Sequence, residues 1–190
     1  MPAKYRALKP SLWPKGVSNR NAGLRWIYDH VNATGDSRGV FYFADDDNTY
    51  DIRILEEIRY TQRVSMFPVG FISNLFVSTP ILDSQGQFKD FYEGWKGNRT
   101  FTLDMAGFAV NVAHFMAKAR PLYEAGNNSI MAFKKGYEEE TFLQAMKVPP
   151  NQVEFLAEKC TKIYVWHTKT VNPGLQSFKT FPTQCIMAPI

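Results

Sequence analysis

The chain has 190 residues, is 45% hydrophobic and 15% aromatic, and carries a net charge of +4. That is too apolar for a disordered segment and long enough for one domain with a real core. The charge is compatible with an anionic ligand but too weak to argue for nucleic acid, and no signal-peptide pattern or run of eighteen apolar residues appears.

Residues 1–17 read as an irregular lead, punctuated by Pro2, Pro10 and Pro14. Ser18 is expected to cap a helix whose inner face carries Leu24, Ile27, Tyr28 and Val31. Lys15 and Arg20 flank the start of that helix, where backbone N–H groups favour anions; a solvated basic surface explains them equally well. Val40–Phe43 then reads as a buried strand that empties into Asp45, Asp46 and Asp47. Three adjacent carboxylates are tolerable when solvated or neutralised by a cation, and hard oxygen ligands suit magnesium, manganese or calcium. The acidic turn sits between this strand and a helix with Ile52, Leu55 and Ile58 on its inner stripe and Asp51 as its cap. Strand, acidic turn and helix are the layout in which an aspartate holds a metal on a nucleotide-sugar diphosphate.

Further on, Val64–Ile72 reads as a strand with an edge or bulge at Pro68, and Phe76–Leu82 with Phe88–Tyr92 as a hairpin turning at Asp83–Gly86. Trp95 and Arg99 share a loop and form a pair able to stack against and hydrogen-bond a sugar, although ordinary packing accounts for them too. Asp104 is the lone acid in the apolar run Phe101–Val110, which makes it a site candidate or a strand-end residue bonded to backbone. Asn111–Ala119 is expected to be helical and Pro121–Ser129 a loop. A further helix opens at Gly136 with Glu138, Glu139 and Glu140 in its first turn, where the helix dipole favours acids, and turns Phe142, Leu143 and Met146 inward. Lys162–Thr170 reads as a strand delivering His167 and Lys169 on one face, suited to gripping phosphate. Cys160 and Cys185 match no metal spacing, and three N-x-S/T sequons begin at Asn32, Asn98 and Asn127.

Taken in order, Asn19-Arg20-Asn21, Tyr42–Tyr50, Phe67-Pro68-Val69-Gly70, Asp104–Val110 and Val165–Thr168 resemble the animal β-1,3-glucuronyltransferases over roughly residues 14–170. The resemblance implies an α/β fold of the GT-A type, a mixed sheet flanked by helices, and inverting transfer of glucuronic acid from UDP-glucuronic acid to the 3-OH of a terminal galactose. It makes Asp47 the ligand of a manganese ion (Mn2+) and Glu139 the catalytic base. Lys15, Arg20, Asp45, Asp46, Lys135, His167 and Lys169 fall on donor-binding positions, and Trp95, Arg99 and Asp104 on the acceptor side. Glu138 and Glu140 are expected to raise the pKa of Glu139 by like-charge repulsion. The family also implies a homodimer in the Golgi lumen, anchored in the membrane by a segment that this chain lacks.

The chain departs from the family at Lys15, Lys135 and Lys169, where arginine is usual, and at Thr79, where some members carry an acceptor-binding glutamate. Lysine keeps the charge but loses the bidentate fork. It also begins after the first βαβ segment that grips uracil, so the expected organisation is a lead over 1–17, a partial catalytic domain over 18–170 and a tail over 171–190. A catalytically silent glycan-binding or scaffold form is the alternative.

Overall fold

The computed structural model describes residues 16–132 and 134–168. The chain runs through α1 (Val17–Thr34), β1 (Val40–Tyr42), β2 (Asn48–Tyr50), α2 (Arg53–Ile58), β3 (Val64–Met66) and β4 (Val69–Gly70). It continues through β5 (Val77–Leu82), β6 (Phe88–Tyr92), a 3-10 turn at Met105–Gly107, β7 (Phe108–Asn111) and α3 (Val112–Glu124). The last elements are α4 (Glu138–Met146), β8 (Glu154–Phe155) and β9 (Val165–His167). One sheet has the order β1-β7-β3-β8 and the other β2-β9-β4-β5-β6. The β3–β8 and β4–β9 pairs are parallel and the rest antiparallel, giving the expected α/β arrangement of mixed sheets with helices.

Helix α1 starts at Val17, with Gly16 rather than Ser18 at its N-cap and no side-chain cap bond. Ser18 lies inside the first turn. Val17, Leu24 and Val31 are buried, with Ile27 and Tyr28 packed against them, as the spacing predicted. Asn21 is buried on the same helix and makes two reciprocal bonds with Met131. Its Nδ2 donates to the Met131 carbonyl at 2.9 Å, and its Oδ1 accepts from the Met131 N–H at 3.0 Å. A buried amide satisfied in this way fixes the rotation of α1, and with it the direction of Arg20.

Strand β1 ends at Tyr42 and is a half-buried edge strand, not a buried one. Its anchor is aromatic: Phe41 and Phe43 pack edge-on against Phe142, which stacks on Phe108. The predicted strand Val64–Ile72 is two strands in different sheets. Phe67 and Pro68 carry the chain from β3 to β4, and the Phe67 N–H bonds the Gly107 carbonyl at 3.0 Å. Pro68 cannot donate to a ladder, so the run changes sheet there instead of forming an edge.

The inner stripe of α2 is Ile54 and Ile58, while Ile52 is 77% and Leu55 53% exposed. Asp51 precedes the helix; its Oδ1 accepts from the Arg53 N–H at 2.9 Å, although Ile52 holds the cap position. Helix α3 runs past Pro121 to Glu124, where a loop was expected, because Ala119 and Tyr123 both bury on the face that packs inward. Asn111 caps it by accepting from the His114 N–H at 3.1 Å. The hairpin β5–β6 forms as read. Thr79 is buried within it and bonds the Pro80 carbonyl at 3.0 Å. Between β8 and β9, residues Ala157, Glu158, Lys159 and Cys160 form a left-handed turn with φ of 56°, 51°, 56° and 63°. Nothing in their side chains announced it.

Candidate active site

The acidic turn links β1 to β2. Asp45, Asp46 and Asp47 line a cleft of about 790 Å³ together with Arg20, Gly23 and Trp26 of α1. The Arg20 guanidinium pairs with the Asp45 carboxylate. The Tyr50 hydroxyl donates to the Asp45 carbonyl at 2.7 Å, and the Tyr42 hydroxyl donates to the Ala106 carbonyl at 2.8 Å. These two phenols tie the acidic turn to the 3-10 turn that follows Asp104, and burial raises both above the usual phenol range, Tyr42 the more strongly.

Strand β2 was not anticipated, yet it builds this side of the site. Its register with β9 sets Asn48 opposite His167. His167 Nδ1 lies 2.8 Å from Asn48 Oδ1 and 3.8 Å from Asp47 Oδ1. The Asp47 carbonyl accepts from the Thr168 N–H at 3.0 Å, while its carboxylate stays 48% exposed. Asn48 Nδ2 is buried without a hydrogen-bond partner among the described residues. Among the described residues no group of three His, Cys, Asp or Glu side chains is placed to hold a metal ion. Asp47 therefore offers one open carboxylate. That donor set fits a hard cation coordinated mainly by phosphate oxygens of a bound substrate, and does not fit a protein-enclosed cation.

A second cavity, of about 160 Å³, is lined by Ile72, Ser73, Glu93, Trp95, Arg99, Leu103, Asp104, Gly136 and Glu139. Asp104 caps the 3-10 turn, its Oδ1 accepting from the Ala106 N–H at 3.0 Å, so it both lines this cavity and is the backbone-bonded acid of the alternative reading. Arg99 lies over the Trp95 ring, its guanidinium carbon 4.2 Å from the centroid, and Tyr137 meets that ring edge-on at 5.9 Å. Arg99 also donates to the carbonyls of Trp95, of Lys96 at 3.2 Å and of Gly136 at 3.5 Å. Much of its donor capacity thus closes the loop on itself, with one long bond to the turn before α4, and its cation covers a face of the Trp95 ring.

The three glutamates of α4 have separate surroundings. Glu140 is 4% exposed; it accepts from the Thr100 N–H at 3.0 Å, the Phe101 N–H at 2.7 Å and Gln144 Nε2 at 2.5 Å. Glu138 is also buried. Glu139 faces the cavity, and its pKa is pushed up to about 7, first by burial, then by the charges of Asp104 and Glu138, with its own backbone N–H and Arg99 opposing. The expected repulsion thus operates through Glu138 but not Glu140, which is turned toward the Thr100–Phe101 backbone, and burial outweighs both. Asp104 is likewise held above the usual carboxylate range by burial, opposed by the Ala106 N–H, raised by Asp45 and Glu93 and lowered by His167. The last three contributions put the acidic turn, His167 and the second cavity within electrostatic reach of one another.

The candidate residues Arg20, Asp45, Asp46, Asp47 and His167 thus converge on one side, and Trp95, Arg99, Asp104 and Glu139 on the other. Lys135 lies exposed in the turn before α4 and does not line the second cavity. Lys15, Lys169 and Cys185 lie outside the described residues; Cys160 is buried, its sulfur 3.9 Å from the Met66 carbonyl oxygen. Glu93, Ser73 and Ile72 also line the cavity, and sequence reading missed them. They follow short strands and carry no motif, so only the fold identifies them.

Comparison with known proteins fits this arrangement. A family model described as Glycosyltransferase family 43 matches residues 1–171. The chain belongs to glycosyltransferase family 43. Within that family it is 47% identical over 175 residues to galactosylgalactosylxylosylprotein 3-beta-glucuronosyltransferase S of Drosophila melanogaster, covering 92% of this chain and 39% of the relative. It is 45% identical over 171 residues to the P enzyme of the same organism, covering 90% of this chain and 33% of the relative. It is 38% identical over 162 residues to galactosylgalactosylxylosylprotein 3-beta-glucuronosyltransferase 1 of Homo sapiens, covering 85% and 47%. This family 43 chain therefore spans about a third to a half of the length of these curated relatives. Among its described residues no helix is long and apolar enough to cross a membrane.

Proposed function

We propose that this chain transfers glucuronic acid from UDP-glucuronic acid to the 3-OH of a terminal galactose on a glycan of the proteoglycan-linker type, with inversion at the anomeric carbon. The observation that carries the reading is Glu139, a cavity-facing carboxylate whose pKa of about 7 suits a general base. It takes no hydrogen bond from another described residue, and Trp95, Arg99 and Asp104 surround it. The names of the family relatives support the donor sugar and the acceptor.

In this mechanism Glu139 accepts the proton of the galactose 3-OH as its oxygen attacks the anomeric carbon. The bond from that carbon to the diphosphate oxygen breaks, and its electron pair leaves with UDP. One base suffices, because the acceptor hydroxyl is the nucleophile and no water need be activated. Asp104, fixed by the Ala106 N–H, orients the acceptor beside Glu139. Arg20 and His167 face the diphosphate side, where positive charge stabilises the leaving group. Asp45 and Asp46 bind the ribose and glucuronic acid, with Lys15, Lys135 and Lys169 as further donor contacts. A manganese ion on Asp47 supplies charge neutralisation of the diphosphate when bound. The same reading makes the chain part of a homodimeric, membrane-anchored protein of the Golgi lumen.

The test is incubation of the chain with UDP-glucuronic acid, manganese and a galactose-terminated acceptor, read by mass spectrometry of the glycan and by calorimetric UDP titration. Glucuronylated product is expected, with Asp47→Asn weakening manganese-dependent UDP binding and Glu139→Gln abolishing transfer while UDP still binds. A folded sample that forms no product overturns the proposal.

A further inference from the structure

The cavity around Glu139 contains a third carboxylate, Glu93, to which the transfer step assigns no role. Glu93 directly follows β6 and is half-buried. Its Oε1 accepts from the Gly94 N–H at 2.8 Å, while Oε2 takes no hydrogen bond from a described residue.

The backbone beneath it is fixed. A Cβ placed on Gly94 would lie 2.4 Å from the Ser73 carbonyl oxygen, so the two segments touch and only glycine fits. The opposing segment is unusual in its own right. Phe71, Ser73 and Asn74 are non-glycine residues with φ of 58°, 54° and 60°. It is pinned by the Phe71 N–H on the Phe76 carbonyl and the Leu75 N–H on the Ile72 carbonyl, both at 2.8 Å. Left-handed residues persist only where the surroundings enforce them, and they cluster at ligand-binding sites. Ile72 and Ser73 line the same cavity as Glu93. One wall is thus a rigid pair of segments carrying a carboxylate with one oxygen to spare. The Trp95 ring, 48% exposed, lines the same cavity.

We propose that Glu93 is a specificity-determining residue that accepts a hydrogen bond from a second hydroxyl of the acceptor's terminal hexose, beside the one that Glu139 deprotonates. The inference rests on the proposed function. An ionised carboxylate is acceptor-only and forms short, strong bonds with hydroxyl donors, and an aromatic ring supplies the apolar surface for the sugar's C–H face. Glu139 is occupied by the reacting proton, and Asp104 commits an oxygen to the Ala106 N–H. Glu93 is the carboxylate of the three that reads the sugar without taking part in the reaction. A hexose lacking the matching hydroxyl leaves it unpaired and is rejected for that reason.

The test uses the chain with UDP and manganese bound. Affinity for a galactose-terminated disaccharide and its monodeoxy analogues is measured by calorimetry and saturation-transfer NMR on wild type, Glu93→Gln and Glu93→Ala. Glu93→Ala is expected to weaken the parent disaccharide about tenfold, the loss of one charged hydrogen bond. It should leave affinity for one particular deoxy analogue unchanged, and UDP affinity should not move. In the transfer assay KM rises while kcat holds. Wild-type affinity retained by both variants for every analogue overturns the role of Glu93 and leaves the proposed function standing. A wild-type chain that binds UDP but no galactoside overturns both.

Discussion

Replacing Glu140 with alanine is expected to remove a large share of this chain's stability, although the residue neither lines the cavity nor takes part in transfer. Its carboxylate is 4% exposed and holds the Thr100 N–H at 3.0 Å and the Phe101 N–H at 2.7 Å, with Gln144 as a third donor at 2.5 Å. The two backbone hydrogen bonds to this charged group contribute roughly 1.5–3 kcal/mol each. The sum is about 3–6 kcal/mol, against a typical total of roughly 5–15 kcal/mol. At this chain length the midpoint should fall on the order of 10 °C. Glu140→Gln should lie between, because its amide keeps one acceptor oxygen but turns an NH2 group toward a donor. The measurement is urea unfolding followed by circular dichroism, with near-ultraviolet spectra reporting Trp95, whose loop Glu140 ties to α4. An alanine variant within about 0.5 kcal/mol of wild type, the ordinary range for a surface substitution, would refute the reasoning.

Four further outcomes are expected. The rate of transfer should fall about tenfold per pH unit below about 7, as Glu139 takes up a proton, and Asp104→Asn should move that limb to lower pH by removing a repelling charge. A carboxyl raised above its ordinary value of 4.5 to about 7 binds its proton more tightly in the folded chain, so stability falls as pH rises through that window. Glu139→Gln should therefore be more stable than wild type at pH 8 and no more stable at pH 4, by denaturant titration. Gly136→Ala should strain a residue at φ +76° and push a Cβ to within 2.9 Å of the Trp95 ring, costing roughly 1–2 kcal/mol and altering tryptophan fluorescence. Glu158→Gly should instead stabilise the chain by about 1 kcal/mol, because it relaxes a left-handed residue at φ 51°; an unchanged midpoint would count against strain in that turn.

How far the residues foretold this structure depended on how many elements a pattern left open. Asp45–Asp47 at the end of an aromatic strand, the Asp83 hairpin and the Phe142–Met146 face of α4 were legible, because turn chemistry and periodicity agreed there. Helix α2 was misread because apolar residues occupy four of the positions 52–58 and satisfy two faces; packing against Phe67 and Val165 selects Ile54 and Ile58. The division of Val64–Ile72 between two sheets depends on partners up to about a hundred residues away, which no local window contains. In the site, Glu139 stood out through its motif, whereas the different surroundings of Glu138, Glu139 and Glu140 follow from which backbone each one meets.

The placement of β9 has a consequence for how the chain is made. It joins β2 to β4, and its partner residues Asn48 and His167 are 119 positions apart. Until the ribosome has released residues 165–167, the larger sheet remains two separate pieces, and the edge of β4 that later receives Trp166 is exposed to any strand that reaches it. Distant pairing of this kind folds slowly. During translation the nascent chain is therefore most in need of a chaperone just before His167 emerges, and a ribosome stalled there should leave a product that aggregates through β4.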